Sequence, residues 1–245
     1  MGVHEGLRVA ESEEVGHWPL RIAIGAAAAC VLGPLAAHFG IAPPLGGFFM
    51  FVIGGFVGLL DSVAGIVTLR RGAFQRGVAT ILLGGIPALV LIGASVRGLG
   101  RPAINDITTD LIEPPNLLYA QGQPGNLGRD MVYPEAFKEH VRSGYPDLKR
   151  LALPEPPDEA FARALRLAQE RPGWEVGFVN GSGRVFEGVA TSPIFGFKDD
   201  FVVRVRPDGT GSLVDMRSKS RDGKGDFGAN AERIRMFLKD LSAAK

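Results

Sequence analysis

One cysteine, Cys30, occurs in 245 residues, so no intramolecular disulfide can hold the fold together. Histidine is also scarce: there are four, and only His140 lies beyond residue 100. With no Cys or His cluster at ligand spacing, no metal centre is expected, and no cofactor either. Neither a G-x-S-x-G elbow nor a G-x-x-x-x-G-K-[ST] loop occurs, which removes the commonest hydrolase and nucleotide-binding signatures. Net charge is small, +1, and speaks against a nucleic-acid binder that works through a broad basic field.

Charge is absent from one region above all. Between Trp18 and Val96 the only charged residues are Arg21, Asp61, Arg70, Arg71 and Arg76, whereas the chain from Arg97 onward is densely charged. This split excludes a single enzyme core running the full length, and it excludes a disordered chain. The expected division is a cytoplasmic tail over 1–17, a transmembrane region over 18–100 and an exported domain over 101–245.

Three apolar runs, 20–42, 45–69 and 77–96, each reach the roughly 20 residues that a helix needs to cross the hydrocarbon. They predict three transmembrane helices, the first retained as an anchor instead of being cleaved as a signal peptide. Pro43-Pro44 marks the first turn. Lys and Arg near the helix ends are biased, with Arg8, Arg21, Arg70, Arg71 and Arg76 on one side and Arg97 and Arg101 on the other. That bias places the amino terminus in the cytoplasm and the polar domain outside it, in the periplasm of a Gram-negative cell.

Asp61 is the one acidic residue within a span, and a charge there costs at least ~2.5 kcal/mol. At the expected matching depth the neighbouring helices offer Ala26 to Ala29 and Gly84, Gly85 and Pro87. Asp61 therefore reads as a polar clasp between helices, with a proton or ion pathway as the sharper alternative. Cys30 and His38 read as packing residues.

From 101 to about 157 the chain is rich in Pro, Gly and Asn and reads as extended segments and turns laid on the domain. Asp158 is the expected cap of a helix in which Phe161, Ala164, Leu165 and Ala168 share a face. Four strands are expected next, at 174–180, 184–191, 200–206 and 212–220. The first two are joined at Asn180-Gly181 and the last two at Pro207-Asp208-Gly209-Thr210. A helix over 229–241 follows, with Ile234, Phe237, Leu238 and Leu241 as its stripe. The expected fold class is three transmembrane helices followed by an α+β domain, a four-stranded antiparallel sheet with two flanking helices. A symmetric second turn sets Val203 opposite Val214, Phe201 opposite Met216, Asp200 opposite Arg217 and Val202 opposite Asp215, with Arg204 diagonal to Asp215. One sheet face is then apolar and the other charged.

Gly223-Lys224-Gly225-Asp226-Phe227-Gly228 satisfies G-x-G-x-x-G, yet the strands before it look antiparallel and no βαβ unit surrounds it. It reads as a strand-to-helix connection with Asp226 or Gly228 near the cap. The basic, hydroxyl-rich run from Arg217 to Lys224 leads into a helix start, where free amides and cations make an anion site. Its expected members are Arg204, Arg217, Ser218, Ser220, Arg221, Asn230 and Arg233; the alternative is a salt-bridged sheet face. Asp106, Asp110, Asp200, Asp215 and Asp226 read as structural polar residues in turns, caps and pairs.

Three phrases carry a resemblance: Asn105-Asp106-Ile107-Thr108-Thr109-Asp110, Tyr145-Pro146-Asp147-Leu148 and Phe197 to Val205. A longer motif runs from Val214 to Arg221 and continues through Gly223, Asp226, Gly228, Asn230 and Arg233-Ile234. From about Ile104 to Leu241 the chain resembles the bacterial and plastid domain-of-unknown-function family 1499. The resemblance implies a domain of that extent and brings no activity and no catalytic residue.

The function expected from these readings is that of a membrane-anchored accessory or binding protein of the inner membrane. Its exported domain would engage an anionic envelope component. One alternative is a hydrolase that uses carboxylates among Asp106, Asp199, Asp215 and Asp226, and another is a subunit of a larger membrane complex. Convergence of carboxylates in one pocket marks the hydrolase, and their dispersal in salt bridges marks the binder.

Overall fold

The structure is a computed structural model that describes residues 2–96 and 98–243, with side chains described except at 2–16 and 94. Of the charge-bias argument, the side chain of Arg8 and the whole of Arg97 thus lie outside what is described. The chain divides into two compact units, Met1–Arg97 with Ile194–Gly196, and Gly98–Pro193 with Phe197–Lys245.

The first unit is built from three helices, α1 (Gly2–His38), α2 (Pro44–Arg70) and α3 (Phe74–Val96). Within them His17–His38, Pro44–Arg70 and Phe74–Gly93 are each long and apolar enough to span a membrane. Helix α1 stops at His38, four residues before the expected end, because Gly40 adopts φ +69°. The amides of Ile41 and Ala42 then turn back to the Ala36 carbonyl. Pro44 opens α2, where a missing N–H costs nothing.

The packing of this bundle is inverted relative to a water-soluble one. The residues that α2 buries are Gly47, Gly54, Gly55, Gly58, Asp61, Gly65 and Thr68, while Phe56, Leu60 and Val63 point outward. Glycine contacts set the helix spacing: a methyl group added at Gly47 would lie 2.4 Å from the Gly33 carbonyl oxygen, and one at Gly84 would lie 2.4 Å from that of Gly58. Large apolar side chains outside and small ones between helices are what a lipid solvent favours.

The second unit is an antiparallel sheet of six strands, two more than expected: β1 (Asp106–Thr108), β2 (Leu151–Leu153), β3 (Trp174–Asn180), β4 (Val185–Thr191), β5 (Lys198–Asp208) and β6 (Gly211–Ser220). Its order is β1-β6-β5-β4-β3, and β2 pairs with β6 alongside β1. The two additional strands have three residues each, too few for an alternating pattern to stand out in a Pro- and Gly-rich stretch. Four helices complete the unit: α4 (Leu118–Gln121), α5 (Phe137–Gly144), α6 (Pro157–Glu170) and α7 (Ala229–Ala243).

Asp158 is not the cap of α6. Pro156 holds that position with Pro157 behind it, and Asp158 pairs with Arg184 at 2.5 Å. Consecutive prolines preset the backbone and need no capping acceptor of their own.

The β5–β6 register also differs from expectation. Asp208 faces Gly211, so the turn is only Gly209-Thr210, with Gly209 at φ +58°. Strand β5 continues through Pro207, which lies past the end of β4 where no ladder acceptor awaits an N–H. Val203 therefore faces Met216, Phe201 faces Ser218, Asp200 faces Lys219, Val202 faces Arg217, and Arg204 faces Asp215 directly. A slip of two residues keeps every side chain on its expected face.

Against one face α5, α6 and α7 bury Val141, Phe161, Ala164, Ile234 and Phe237 over Phe186, Phe201, Val203, Val214 and Met216. The Trp174 ring joins them 4.4 Å from that of Phe201 and 5.4 Å from that of Phe237. The β3 alternation breaks at a bulge between Val176 and Phe178, so Phe178 pairs with Glu187 and stacks on Tyr119, 5.9 Å away. The other face is covered by irregular chain from about 109 to 135, which includes α4 and the 3₁₀ turn Pro124–Asn126. A smaller apolar cluster of Leu117, Ala120, Met131 and Val202 lies beneath it.

Candidate functional site

Because successive residues of β6 point to opposite faces, the long sequence motif is divided in two. Ser218 and Ser220 lie on the helix side. There the Ser218 hydroxyl donates to Asn230 Oδ1 at 2.7 Å, and Asn230 Nδ2 donates to Ser220 Oγ at 2.9 Å. Arg233 donates to Ser218 Oγ at 2.9 Å and to Asp199 Oδ2 at 2.5 Å. Asp226 accepts the Gly228 and Asn230 amides, each at 2.8 Å, and so secures the start of α7. Burial nevertheless raises the Asp226 carboxyl above the ordinary range.

The charged face lies on the other side, under the 109–135 segment. Arg217 is 0% exposed. Its guanidinium forks onto Asp106 at 2.9 and 2.8 Å and donates to the carbonyls of Pro115, at 3.0 Å, and Met131, at 2.8 Å. The Tyr133 ring lies against it, 5.2 Å from centroid to guanidinium, and Lys219 adds a second cation to Asp106 at 3.0 Å. Burial, with Asp106 nearby, pushes the Tyr133 phenol far above its ordinary value.

Two further clusters flank this one. Asp200 accepts Arg221 through both oxygens, at 2.6 to 3.1 Å, and accepts the Asn126 amide at 2.7 Å. That hydrogen bonding raises the Arg221 guanidinium. At the far end of the sheet Arg204 bridges Asp215 and Asp110, and Arg206 contacts both, at 2.9 and 2.7 Å. Burial raises Asp215 despite these arginines. Asp110 is also buried, but the amides of Glu113 and Ile112, together with Arg150 and Arg206, hold it below the ordinary carboxylate range.

The seven residues expected to form one anion site therefore do not converge. Arg204, Arg217 and Arg221 serve three different carboxylates on the lid side, while Ser218, Ser220, Asn230 and Arg233 form a network with Asp199 on the helix side. Of the carboxylates of the hydrolase alternative, Asp106 and Asp215 lie under the 109–135 segment, each bound to its own cations, while Asp199 and Asp226 are neighbours on the helix side, held by Arg233 and by the amides at the start of α7.

Glu187 escaped the sequence reading. It is 2% exposed and accepts the amides of Leu118, Tyr119 and Ala120 at 2.9 to 3.0 Å, which anchors α4 to β4. Burial raises its carboxyl, and those three amides oppose the shift. A charged residue between Phe186 and Gly188, in an otherwise uncharged strand, was the available signal. Asn126, Arg129, Arg206 and Glu113 were missed as well, because nothing local marks them as partners.

A groove of about 540 Å³ opens beside the Asp110 cluster. Leu111, Tyr145, Leu148 and Leu213 form its apolar part, and Arg142, Lys149 and Arg150 line its accessible edge. Among the described residues no group of three or more His, Cys, Asp or Glu is placed to hold a metal ion.

Residues 106–241, more than half of the chain, match the family model described as Protein of unknown function (DUF1499). No curated protein matches the chain.

Proposed function

The chain belongs to the DUF1499 family, and on that premise we propose that it is a membrane-anchored binding protein whose polar unit engages an anionic envelope component. The three apolar helices anchor it in the inner membrane with the amino terminus in the cytoplasm. Arg21, Arg70, Arg71 and Arg76 cluster on the side that the positive-inside rule assigns there. The polar unit then works outside the cytoplasm.

The observation that carries the binding reading is the contrast between two sets of cations. Arg204, Arg217, Arg221 and Arg233 are committed to buried or nearly buried carboxylates, whereas Arg142, Lys149 and Arg150 are exposed along an apolar groove, Arg142 paired with exposed Glu139 and Arg150 at a looser 3.7 Å from Asp110. An amphiphilic anion finds complementary chemistry there, with apolar contact inside and cations at the mouth. The test is calorimetric titration of the full-length protein in neutral detergent with a short-chain phosphatidylglycerol. The triple variant R142E/K149E/R150E is expected to bind roughly tenfold more weakly, a loss of about 1.4 kcal/mol. Added salt should weaken the wild type more than the variant. Equal affinity of the two proteins would remove the groove from consideration.

A further inference from the structure

The 223–228 loop, whose glycines do not serve a nucleotide, instead grips the segment that follows α3. Asn105 Nδ2 donates to the Gly223 carbonyl at 2.7 Å, and the Asp226 amide donates to the Ile104 carbonyl at 3.3 Å. A methyl group added at Gly225 would stand 3.4 Å from Ala103 Cα, and one at Gly228 would stand 2.7 Å from Arg101 Cδ. At Gly98 an added methyl would lie 2.6 Å from Cδ1 of the Phe227 ring. The loop therefore follows the chain from 98 to 105 through backbone and side-chain contacts alike.

Two large apolar side chains emerge from this clamp. Phe227 is 64% exposed and sits at φ +52°, a left-handed backbone that a bulky residue adopts only at a cost. Leu99 is 73% exposed at the tip of a turn, which the Arg101 amide closes on the Gly98 carbonyl with Gly100 at φ +75°. One exposed leucine needs no explanation, but a strained aromatic and a leucine that meet at one glycine do. The apolar span ends at Gly93 and α3 at Val96. Gly98 comes two positions after Val96, at most about 7 Å of chain. Phe227 and Leu99 are thereby tethered near the level where hydrocarbon gives way to headgroups, and aromatic rings are favoured at that level. Arg101, its guanidinium 5.7 Å from the Tyr145 ring centroid, and the exposed Lys224 bring to the same loop the cations that mark membrane boundaries.

We propose that Phe227 and Leu99 insert into the interfacial layer of the leaflet at which α3 ends, so that the 223–228 loop is a contact of the polar unit with lipid. The bilayer is the occupant of this surface, since the chain is continuous with an apolar span a few residues away. Insertion requires only that the helices be embedded, and holds with the groove empty or filled and on either side of the membrane.

Phe227→Trp, in the full-length protein reconstituted into phosphatidylcholine vesicles, tests this through quenching by lipid brominated on the upper acyl chain. The wild-type emission, from Trp18 and Trp174, is subtracted in each lipid. The added emission is expected to be lost in brominated lipid, and in plain lipid to lie to the blue of tryptophan in water. Ser182→Trp, in the turn between β3 and β4 at the opposite end of the sheet from Ser220, should keep its emission in both lipids. Where Phe227→Trp does not assemble, Leu99→Trp takes its place with the same expected loss. Added emission that survives bromination at either position in an assembled variant, or equal quenching at 182, would overturn the proposal.

Discussion

Replacing Arg217 with methionine is expected to destabilise the polar unit by about 3–5 kcal/mol, the cost of leaving a buried charge without its partner. The substitution keeps most of the volume but strips Asp106 of its forked partner and leaves the Pro115 and Met131 carbonyls without a donor. Lysine is expected to fail nearly as badly, since a single ammonium cannot span both carboxylate oxygens and two carbonyls. The double variant D106L/R217M should recover a large part of the loss, because apolar pairs often replace buried ion pairs at little cost. Denaturant unfolding of the full-length protein in detergent, followed through Trp174 in a W18F background, reads this directly, as the chain has two tryptophans. If Arg217 held a ligand instead, R217M would lose binding with its unfolding midpoint unchanged.

The second large effect is on the 109–135 cover. Glu187 is its anchor, and Glu187→Ala strands the amides of Leu118, Tyr119 and Ala120. A hydrogen bond to a charged acceptor contributes about 2 kcal/mol, so exchange at these amides should quicken roughly 30-fold while β5 and β6 stay protected. The same residue gives a pH signature. A carboxyl whose folded value lies above its unfolded one holds its proton more tightly in the native state. Its contribution to stability is complete below the unfolded value and is lost as the pH rises through the folded one. Glu187 acts this way from 4.5 upward, and Asp215 and Asp226 from 3.8 upward. Asp110 acts in the opposite sense: its contribution is present above 3.8 and is lost as the pH falls below that value. Stability should therefore decline as the pH is raised from about 4.5 toward neutrality. Glu187→Gln should flatten that decline, and an unchanged slope would mean that Glu187 is ionised throughout the range.

The parts of this fold that could be read in the sequence are those whose patterns are long. The apolar runs, the helices with stripes Phe161-Ala164-Ala168 and Ile234-Phe237-Leu241, and the Asn180-Gly181 hairpin all stand in the structure. Three-residue strands such as β1 and β2 carry no period to detect. The β5–β6 register failed through Pro207, which looks like a turn residue and is a strand residue because its neighbour strand has already ended. The depth of Asp61 failed as well: Gly47 meets Gly33 and Gly54 meets Ala26, which sets Asp61 level with about Pro19 of α1 instead of Ala26 to Ala29, in a hairpin that turns early because Gly40 stops α1 at His38.

The candidate site was harder to read for a different reason. A charged side chain has the same letter whether it faces water or lies under a lid. The cover that buries Arg217 comes from the stretch with the least periodicity in the chain. Residue types on the charged face were legible, and so was their alternation with the apolar face. Their pairing was not, since Asp106 and Arg217, or Glu187 and Leu118, come together only when distant segments fold onto one sheet.

The proposed role depends most on the side of the membrane that the polar unit occupies, and a pair of fusions behind Lys245 measures this in living cells. One carries a phosphatase that folds only outside the cytoplasm, and the other a fluorescent protein that matures only inside it. An active phosphatase with a dark fluorescent fusion is the predicted result; a bright fluorescent fusion with an inactive phosphatase would contradict the orientation and the envelope role together.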